Sequence, residues 1–252
     1  MKRIRLFLLF ALLGVPALAQ DNLELPGIKK SDIVIRHSGY TLSYNPDAML
    51  PFWVAYALHP GDMEGDAQRE TGFSPDPSPL LRKYRLAEHW HYTRSGWVRG
   101  HMAPAGDMKY SQQAMTESFY TTNVCPMDMS FNNGIWKRLE EKVRKLALQF
   151  GVVYIITGPV MGDNINGKVG ESGISVPDAF FKAVLVPHKG SYLSIGFYMK
   201  NEAAPKGSKL KDYALTVDEL ESMTGMDFFV RMNAVEAFSV EKQLPLKELG
   251  LY

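Results

Sequence analysis

The polar groups best suited to chemistry lie between Arg99 and Arg144. His101 stands within the run from Arg99 to Met108, which holds too much glycine and proline to continue a regular strand. This run is therefore predicted to be the end of a strand that opens into a loop. It contributes an imidazole and a guanidinium two residues apart.

An amphipathic helix is predicted from Asn132 to Phe150, because its apolar residues recur at three- and four-residue steps. These apolar residues are Trp136, Leu139, Val143, Leu146 and Phe150. The polar face begins with Asn132 and continues with Glu140 and Arg144, at offsets of 8 and 12 residues. At about 100° per residue, the three side chains fall within a sector of about 120°. One side of the helix can therefore offer an amide oxygen, a carboxylate and a guanidinium to a common site.

Shorter patterns predict the elements around this helix. Strands are expected at Ile33 to Ser43, Phe52 to Leu58, Ser118 to Val124, Val152 to Val160, Phe180 to Val186 and Tyr192 to Met199. The run from Ser74 to Leu81 contains three prolines and predicts an exposed loop. Thr216 and Glu219 have the spacing of a capping box, which predicts a short helix ending near Gly225. The whole pattern indicates an α+β fold with mixed or antiparallel sheets and one helix set among them.

The first nineteen residues have the pattern of a secretory signal peptide. Basic residues, an apolar run and small residues follow one another: Lys2, Arg3 and Arg5, then Leu6 to Val15, then Ala17 and Ala19. The apolar run is shorter than the roughly 20 residues that a membrane-spanning helix needs. Cleavage is predicted after Ala19, with residues 20–252 exported as one domain to the periplasm or beyond and without membrane insertion.

The charge balance and the cysteine content exclude fewer classes of function than the candidate site residues do. The expected cleavage removes three of the 28 Lys and Arg residues and none of the 27 Asp and Glu residues, which leaves a net charge of −2. A protein that binds nucleic acid tightly is usually basic, so this balance argues against tight binding but not against turnover. Cys125, the single cysteine of the chain, cannot form an internal disulfide and is expected to be structural.

The order and spacing of several segments resemble the family of non-specific DNA/RNA endonucleases with the ββα-metal fold, also called the His-Me finger fold. The segments that carry the resemblance are Pro51 to Leu58, Ser95 to Met108, Ser118 to Pro126, Phe131 to Glu140, Thr157 to Val160, Val176 to Lys182 and Thr224 to Phe229. The resemblance implies an endonuclease that hydrolyses DNA and RNA with little sequence preference and uses one Mg²⁺ ion, with Mn²⁺ as the alternative.

The resemblance also implies a role for each matching residue. His101 matches the general base, Asn132 the direct metal ligand and Glu140 the carboxylate that holds metal-bound water. Arg99 and Arg144 match phosphate-binding arginines, and Asn123 matches a further asparagine of the active-site region. These roles suit the chemistry, because a neutral imidazole accepts a proton near neutral pH and Mg²⁺ needs few protein oxygens. A planar guanidinium binds phosphate oxygens in pairs.

Structural alternatives remain open for the same residues. His101 could be structural, Asn132 could be a helix N-cap, and Glu140 and Arg144 could form an ordinary surface ion pair. His89 and His91 have the spacing of a metal pair on a strand, but with no third ligand they are interpreted as strand or surface residues.

Two residues depart from the family pattern. Val98 replaces an aspartate before the Arg-Gly-His triplet, and Met127 replaces a glutamine after Asn123. These changes could weaken the hydrogen bonds that orient the site. They leave a second hypothesis open, in which the chain is a nucleic-acid or surface-binding protein that kept the fold and lost turnover.

Overall fold

The computed structural model describes residues 22–163, 166–169 and 173–252. The predicted signal peptide and its cleavage position lie outside these residues. Eleven strands and five α-helices are assigned in the described part of the chain. Within it, no helix combines the length and the apolar character that crossing a membrane requires.

A seven-stranded sheet forms the centre of the fold, and each of its strand pairs is antiparallel. Its strands are ordered β1-β2-β3-β6-β9-β10-β11. Their bounds are β1 Ile33–Arg36, β2 Thr41–Asn45, β3 Leu50–Leu58, β6 Val153–Val160, β9 Ala179–His188, β10 Ser191–Lys200 and β11 Ala214–Leu215. The α+β class and the antiparallel sheet predicted from the sequence are confirmed.

Two short strand pairs and five helices complete the fold. The pairs are β4 Val98–His101 with β5 Val124–Met127, and β7 Lys168–Val169 with β8 Ile174–Ser175. The helices are α1 Gln112–Ser118, α2 Met129–Phe131, α3 Lys137–Phe150, α4 Val217–Thr224 and α5 Ala234–Val240. Strands β4 and β5 followed by α3 form the ββα unit that carries the candidate site.

Each face of the large sheet packs against its own hydrophobic core. In β9, Phe180 and Val184 point into the core that contains α3, whereas Phe181 and Leu185 point into the core beneath α4. Because side chains alternate along a strand, Lys182 lies on the face that packs against α3. Lys182 therefore reaches the candidate site from a strand, and the helical periodicity of the sequence does not predict its position.

Helix α3 packs on the sheet through Leu139, Val143, Leu146 and Ala147, which confirms the predicted apolar face. The helix ends at Gly151, whose φ of 84° is favourable for glycine. Its beginning differs from the prediction of one continuous helix from Asn132.

Between α2 and α3 the backbone forms a π-helical turn, Asn132–Trp136, with a non-helical conformation at Gly134. The rotation of about 100° per residue of a regular α-helix therefore does not relate the direction of Asn132 to that of Glu140. Single π-turns within helices are frequent at functional sites. The predicted common face of the helix holds for Glu140 and Arg144, and Asn132 is placed by the π-turn.

Two predicted strands differ from the structure, and a segment interpreted as strand or surface residues is a turn. The run 33–43 is divided into β1 and β2 by a turn, in which the His37 amide donates to the Tyr40 carbonyl at 2.8 Å. The run 118–124 is the end of α1 and a 3₁₀ turn, and β5 begins only at Val124. The His89–Tyr92 segment is a 3₁₀ turn and not a strand.

The predicted helix after Thr216 is confirmed, as are its two ends. The Thr216 hydroxyl accepts a hydrogen bond from the Glu219 amide at 3.1 Å, and the Glu219 carboxylate accepts one from the Thr216 amide at 2.8 Å. Gly225 ends the helix in the left-handed conformation. The sequence alone predicts the start of this helix, because both hydrogen bonds of a capping box lie within four neighbouring residues.

Candidate active site

Strand β4 presents Arg99 and His101 on one side, because residues two apart in a strand share a face. The His101 ring lies between two phenyl rings, with centroid distances of 5.2 Å to Phe73 and 5.1 Å to Phe119. Aromatic contacts on two sides fix the imidazole plane. The strand end predicted from glycine and proline is confirmed, and it holds His101 rigidly.

The His101 side chain is partly exposed, yet its Nε2 atom is buried and has no hydrogen-bond partner among the described residues. Burial, assisted by the positive charge of Arg69, lowers the pKa of His101 to about 3. The imidazole is therefore neutral near pH 7. A neutral ring has one nitrogen free to accept a proton, which is the form that a general base requires.

Arg99 is held over aromatic rings on the His101 side of the strand. Its guanidinium carbon lies 5.6 Å from the Phe73 centroid and 5.2 Å from the Tyr92 centroid. The same guanidinium donates to the His89 carbonyl, while its Nε is buried without a partner in the described part of the chain. An arginine held in this way is pre-oriented, since few rotamers remain to be lost on binding an anion.

Arg69 joins this half of the site, although the sequence analysis missed it. Its exposed guanidinium lies 5.0 Å from the centroid of Phe119, the ring that also contacts His101. His101 consequently has an arginine on either side, Arg69 at Phe119 and Arg99 at Phe73. No local pattern marks Arg69, because it is a single basic residue in a polar stretch 32 positions earlier.

Asn123 is fully buried and supports the loop after His101. Its amide nitrogen donates to the carbonyls of Ala103 at 2.9 Å and Ser118 at 2.8 Å, and its oxygen accepts from the Ala103 amide at 2.9 Å. A side chain that is wholly buried and fully bonded cannot contact substrate. The catalytic role expected for Asn123 is therefore corrected to a positioning role.

Replacing Asn123 with alanine is expected to destabilise the fold by about 3 kcal/mol or more, because each backbone group left buried without a partner costs about 1 to 3 kcal/mol. Urea unfolding measures this change. Activity should fall as well, since the loop that begins at His101 loses its anchor at Ala103. A stability loss below about 1 kcal/mol would show that water replaces the missing bonds.

Asn132 opens the π-turn with its side chain partly exposed and not hydrogen-bonded to any other described residue. The N-cap of α2 is Asp128, whose carboxylate accepts from the Phe131 amide at 2.8 Å. The interpretation of Asn132 as a helix cap is therefore wrong. Its amide oxygen is free to bind a ligand.

Glu140 and Arg144 belong to a largely buried charge network. The Arg144 Nε donates to Asp107 at 2.6 Å, and its Nη2 lies 3.7 Å from the Glu140 carboxylate. The Tyr56 hydroxyl donates to the second Asp107 oxygen at 3.0 Å. The Asp107 side chain is 1% exposed and that of Glu140 is 15% exposed, so this is not an ordinary surface ion pair.

Lys182 extends the network from the sheet. The residue is 1% exposed, its Nζ lies 4.7 Å from the Trp136 ring centroid, and Nζ has no hydrogen-bond partner among the described residues. Burial raises the pKa of Glu140, and the positive charge of Lys182 opposes that rise. The sequence analysis included Lys182 in the family resemblance but gave it no role.

The loop after His101 joins the two halves of the site. Near its start, Asn123 binds both backbone groups of Ala103; at its end, Arg144 binds Asp107. The structure thus unites His101 and Arg99 in one half, and Glu140 and Arg144 in the other. Among the described residues, no hydrogen bond, ion pair or ring contact joins His101 or Arg99 to Glu140 or Arg144.

Two side chains of the site carry oxygen donors of the type that a magnesium site uses. The described residues contain no group of three or more His, Cys, Asp and Glu side chains able to hold a metal ion. His89 is exposed, and His91 is buried with its Nδ1 accepting from the Glu88 amide at 2.9 Å, so this pair forms no zinc site. The amide of Asn132 and the carboxylate of Glu140 supply the oxygen ligands that Mg²⁺ prefers.

The two departures from the family pattern face each other across β4 and β5. Val98 is paired with Met127, and the Met127 side chain packs against Gly100 so closely that a Cβ there would lie 1.9 Å from its sulfur. Neither side chain has a hydrogen-bond donor or a strong acceptor, so the pair contributes nothing polar to the orientation of the site. The Arg99 Nε and His101 Nε2 atoms of β4 are buried without a hydrogen-bond partner among the described residues.

Paired strands, a following helix, a histidine at the strand end and an asparagine at the helix start define a ββα-metal nuclease fold. A family model described as DNA/RNA non-specific endonuclease matches residues 21–235. The chain therefore belongs to the DNA/RNA non-specific endonuclease family.

Similar proteins include mitochondrial nuclease EXOG of Mus musculus, 34% identical over 79% of this chain and 57% of the relative. Nuclease C1 of Cunninghamella echinulata var. echinulata is 31% identical over 87% of each chain. Among solved structures, the chain is similar to endonuclease G in its complex with EndoGI, a structure that concerns the mechanism of endonuclease G inhibition. The two chains have a TM-score of 0.74 and are 26% identical in sequence. The match covers 84% of this chain and 90% of that one. The chain thus spans less than two thirds of the mouse relative and most of the other two.

Proposed function

We propose that this protein is an exported, magnesium-dependent endonuclease that hydrolyses phosphodiester bonds in DNA and RNA with little sequence preference. The observation that supports this proposal most directly is the neutral imidazole of His101, held between two phenyl rings with an arginine at each ring. A proton acceptor flanked by phosphate-binding groups suits the hydrolysis of an anionic ester.

His101 takes the proton of the attacking water in this proposal. Its pKa of about 3 keeps the ring neutral but makes it a weak base in the free protein. A phosphodiester bound beside the ring raises the pKa, because a nearby negative charge stabilises the imidazolium. Substrate binding therefore strengthens the base at the moment when the proton must move.

Asn132 and Glu140 would hold the magnesium ion, Asn132 directly and Glu140 through bound water. When bound, the ion supplies positive charge next to the phosphate and the departing 3′ oxygen. The π-turn presents the Asn132 amide without a competing hydrogen bond from any other described residue. Burial raises the pKa of Glu140 to about 7 although Lys182 opposes the rise. A bound cation would favour the ionised carboxylate, because a nearby positive charge lowers the pKa of an acid.

The arginines bind the phosphate and stabilise its growing negative charge. Arg99 and Arg69 approach from the His101 half, and Arg144 approaches from α3, where Asp107 fixes its guanidinium. All three side chains are suited to phosphate oxygens, which are the same in every nucleotide. A site built on these contacts does not distinguish bases, which accounts for the proposed lack of sequence preference.

Export rests on the signal-peptide pattern of residues 1–19, with the protein proposed to reach the periplasm or the medium. Cys125 is buried in β5, where burial raises its pKa well above the usual value, so the thiol stays protonated and unreactive. This property suits an oxidising compartment, because an inert thiol forms no unwanted disulfide. Amino-terminal sequencing of the exported protein should find Gln20 first.

Incubation with supercoiled plasmid and with single-stranded RNA tests the proposal. The purified protein is expected to nick and then degrade both substrates in Mg²⁺, and a chelator should abolish cleavage. If both substrates stay intact in Mg²⁺ and in Mn²⁺ while still being bound, the chain is a binding protein that kept the fold. Such a result would also direct attention to Val98 and Met127.

A further inference from the structure

Trp90 is an exposed indole whose orientation is nevertheless fixed. The residue is 45% exposed and belongs to no hydrophobic cluster of the described chain. Its Nε1 donates to the Glu88 carboxylate at 2.9 Å, and its ring lies 3.9 Å from the ring centroid of His91. His91 is itself buried and accepts a hydrogen bond from the Glu88 amide. The outer face of the indole is thus held open to solvent.

The backbone of Trp90 adjoins the Arg99 half of the site. The Arg99 guanidinium donates to the carbonyl of His89, the residue that precedes Trp90. Adjacent Cα atoms are about 3.8 Å apart, so Trp90 begins one residue from the anchor of Arg99. A phosphate bound at Arg99 would place a neighbouring nucleotide within reach of the indole.

The surrounding segment is strongly basic, in contrast with the chain as a whole. Four exposed basic residues lie between positions 82 and 94: Arg82, Lys83, Arg85 and Arg94. The one acidic residue of that stretch is Glu88, whose carboxylate is engaged by Trp90. The complete chain has 28 basic and 27 acidic residues, so positive charge is concentrated here. Exposed basic residues close in sequence to an exposed aromatic residue are a combination that suits the binding of single-stranded nucleic acid.

We propose that Trp90 is a stacking platform for an unpaired nucleobase of the substrate, with the exposed basic residues of 82–94 contacting nearby phosphates. This inference rests on the proposed function, because it names a part of the substrate that the nuclease would hold. Every base has a π face, so stacking adds affinity without reading sequence. Bases within an intact duplex are already stacked on one another. The platform therefore favours single-stranded DNA, RNA loops and frayed ends.

Binding of two oligonucleotides in a chelator, where cleavage is stopped, tests the platform. One is an oligothymidylate, and the other is an abasic oligonucleotide with the same number of phosphates. The wild-type protein should bind the oligothymidylate more tightly by about fivefold to a hundredfold, the range for one stacked base. Trp90→Ala should remove this advantage and leave the affinity for the abasic strand unchanged. Trp90→Phe, which keeps a π face, should retain part of it.

Intrinsic fluorescence gives an independent measure. Trp53 and Trp136 are buried and Trp97 is partly buried, so stacking should quench mainly the emission of Trp90. The quenching should disappear in Trp90→Phe. Phe238→Ala, which removes a 66% exposed ring on α5, is the matched control and should bind both strands as the wild type does.

The outcomes separate this inference from the proposed function. The platform is refuted if the wild type shows no preference for the oligothymidylate, or if Trp90→Ala weakens both strands equally or neither. Wild-type protein that binds through Trp90 but cuts nothing would retain the platform and reject the nuclease. A wild type that cuts single strands with the same kcat/KM as Trp90→Ala would retain the nuclease and reject the platform.

Discussion

Replacing His101 with alanine is expected to lower kcat on plasmid DNA by about two to four orders of magnitude, the usual contribution of a general base. The proposed function assigns proton transfer to this side chain, whose ring is neutral near pH 7. Affinity for the oligonucleotide should change little, because Arg69, Arg99 and Arg144 remain. Single-turnover cleavage and chelator-arrested binding measure the two quantities separately.

The variant should also lose some stability, because His101 fills the space between Phe73 and Phe119. Aromatic pairs contribute about 0.5 to 1.5 kcal/mol each, so the loss of two pairs is expected to cost about 1 to 3 kcal/mol. Cleavage must therefore be measured at a temperature at which both proteins are folded. His59→Ala, which removes an exposed histidine paired only with Asp62, is the control and should cleave normally. Comparable kcat values for His101→Ala and the wild type would exclude His101 as the base.

The pH dependence of stability gives the His101 variant a second signature. The pKa of the folded ring, about 3, lies below the ordinary value of 6.5, so the unfolded chain binds this proton first as the pH falls. The wild type therefore loses stability from this group between about pH 6.5 and pH 3. His101→Ala lacks the group and should lose less over the same range. Urea unfolding of both proteins at pH 7 and pH 4.5 measures the loss of stability of each. The acidic residues are the same in both proteins, so their contribution cancels in the comparison.

The sequence predicted those parts of the fold and site that depend on local periodicity. The helix face of Leu139 and Val143, the capping box at Thr216 and the strand end at His101 each follow from contacts among residues near in sequence. One local signal was overlooked. The turn from His37 to Tyr40 joins the neighbouring strands β1 and β2, and Ser38 and Gly39 mark it in the sequence.

Some site residues can be identified from the sequence, whereas the role of others depends on contacts that only the fold creates. His101 and Asn132 are recognisable from the order of short segments, but the burial of Asn123 emerges only when Ala103 and Ser118 come together around it. Lys182 reaches the site from a strand whose pairing is set far along the chain. The sequence alone places such residues within the family pattern. Their physical role follows from their hydrogen bonds and burial, which depend on the folded structure.

Replacing Asn132 with alanine is expected to raise the Mg²⁺ concentration for half-maximal cleavage by at least tenfold and to lower the maximal rate sharply, because the proposed ion loses its direct protein ligand. The structure predicts almost no loss of stability. Asp128, and not Asn132, caps the preceding helix, and the Asn132 side chain bonds to no other described residue. Magnesium titration of cleavage and thermal unfolding in chelator measure the two effects.

Thermal unfolding also reports metal binding without catalysis. A ligand that binds only the folded state raises its stability, so Mg²⁺ should raise the Tm of the wild type but not that of Asn132→Ala. Asn133→Ala removes the same amide from the neighbouring exposed position and should retain the wild-type response. Asp128→Ala should lower stability by about 0.5 to 2 kcal/mol through the lost cap, with the Mg²⁺ response of the folded protein retained.

These three variants separate metal binding from helix capping. If Asn132→Ala and Asn133→Ala have the same magnesium midpoint and the same Tm increase, the ion is held elsewhere and the free amide of Asn132 has another purpose. If Asn132→Ala instead loses stability as Asp128→Ala does, the side chain supports the π-turn itself. A shifted magnesium midpoint with unchanged stability in chelator is the result that a metal ligand at the start of this turn requires, since only then does the amide act through the ion.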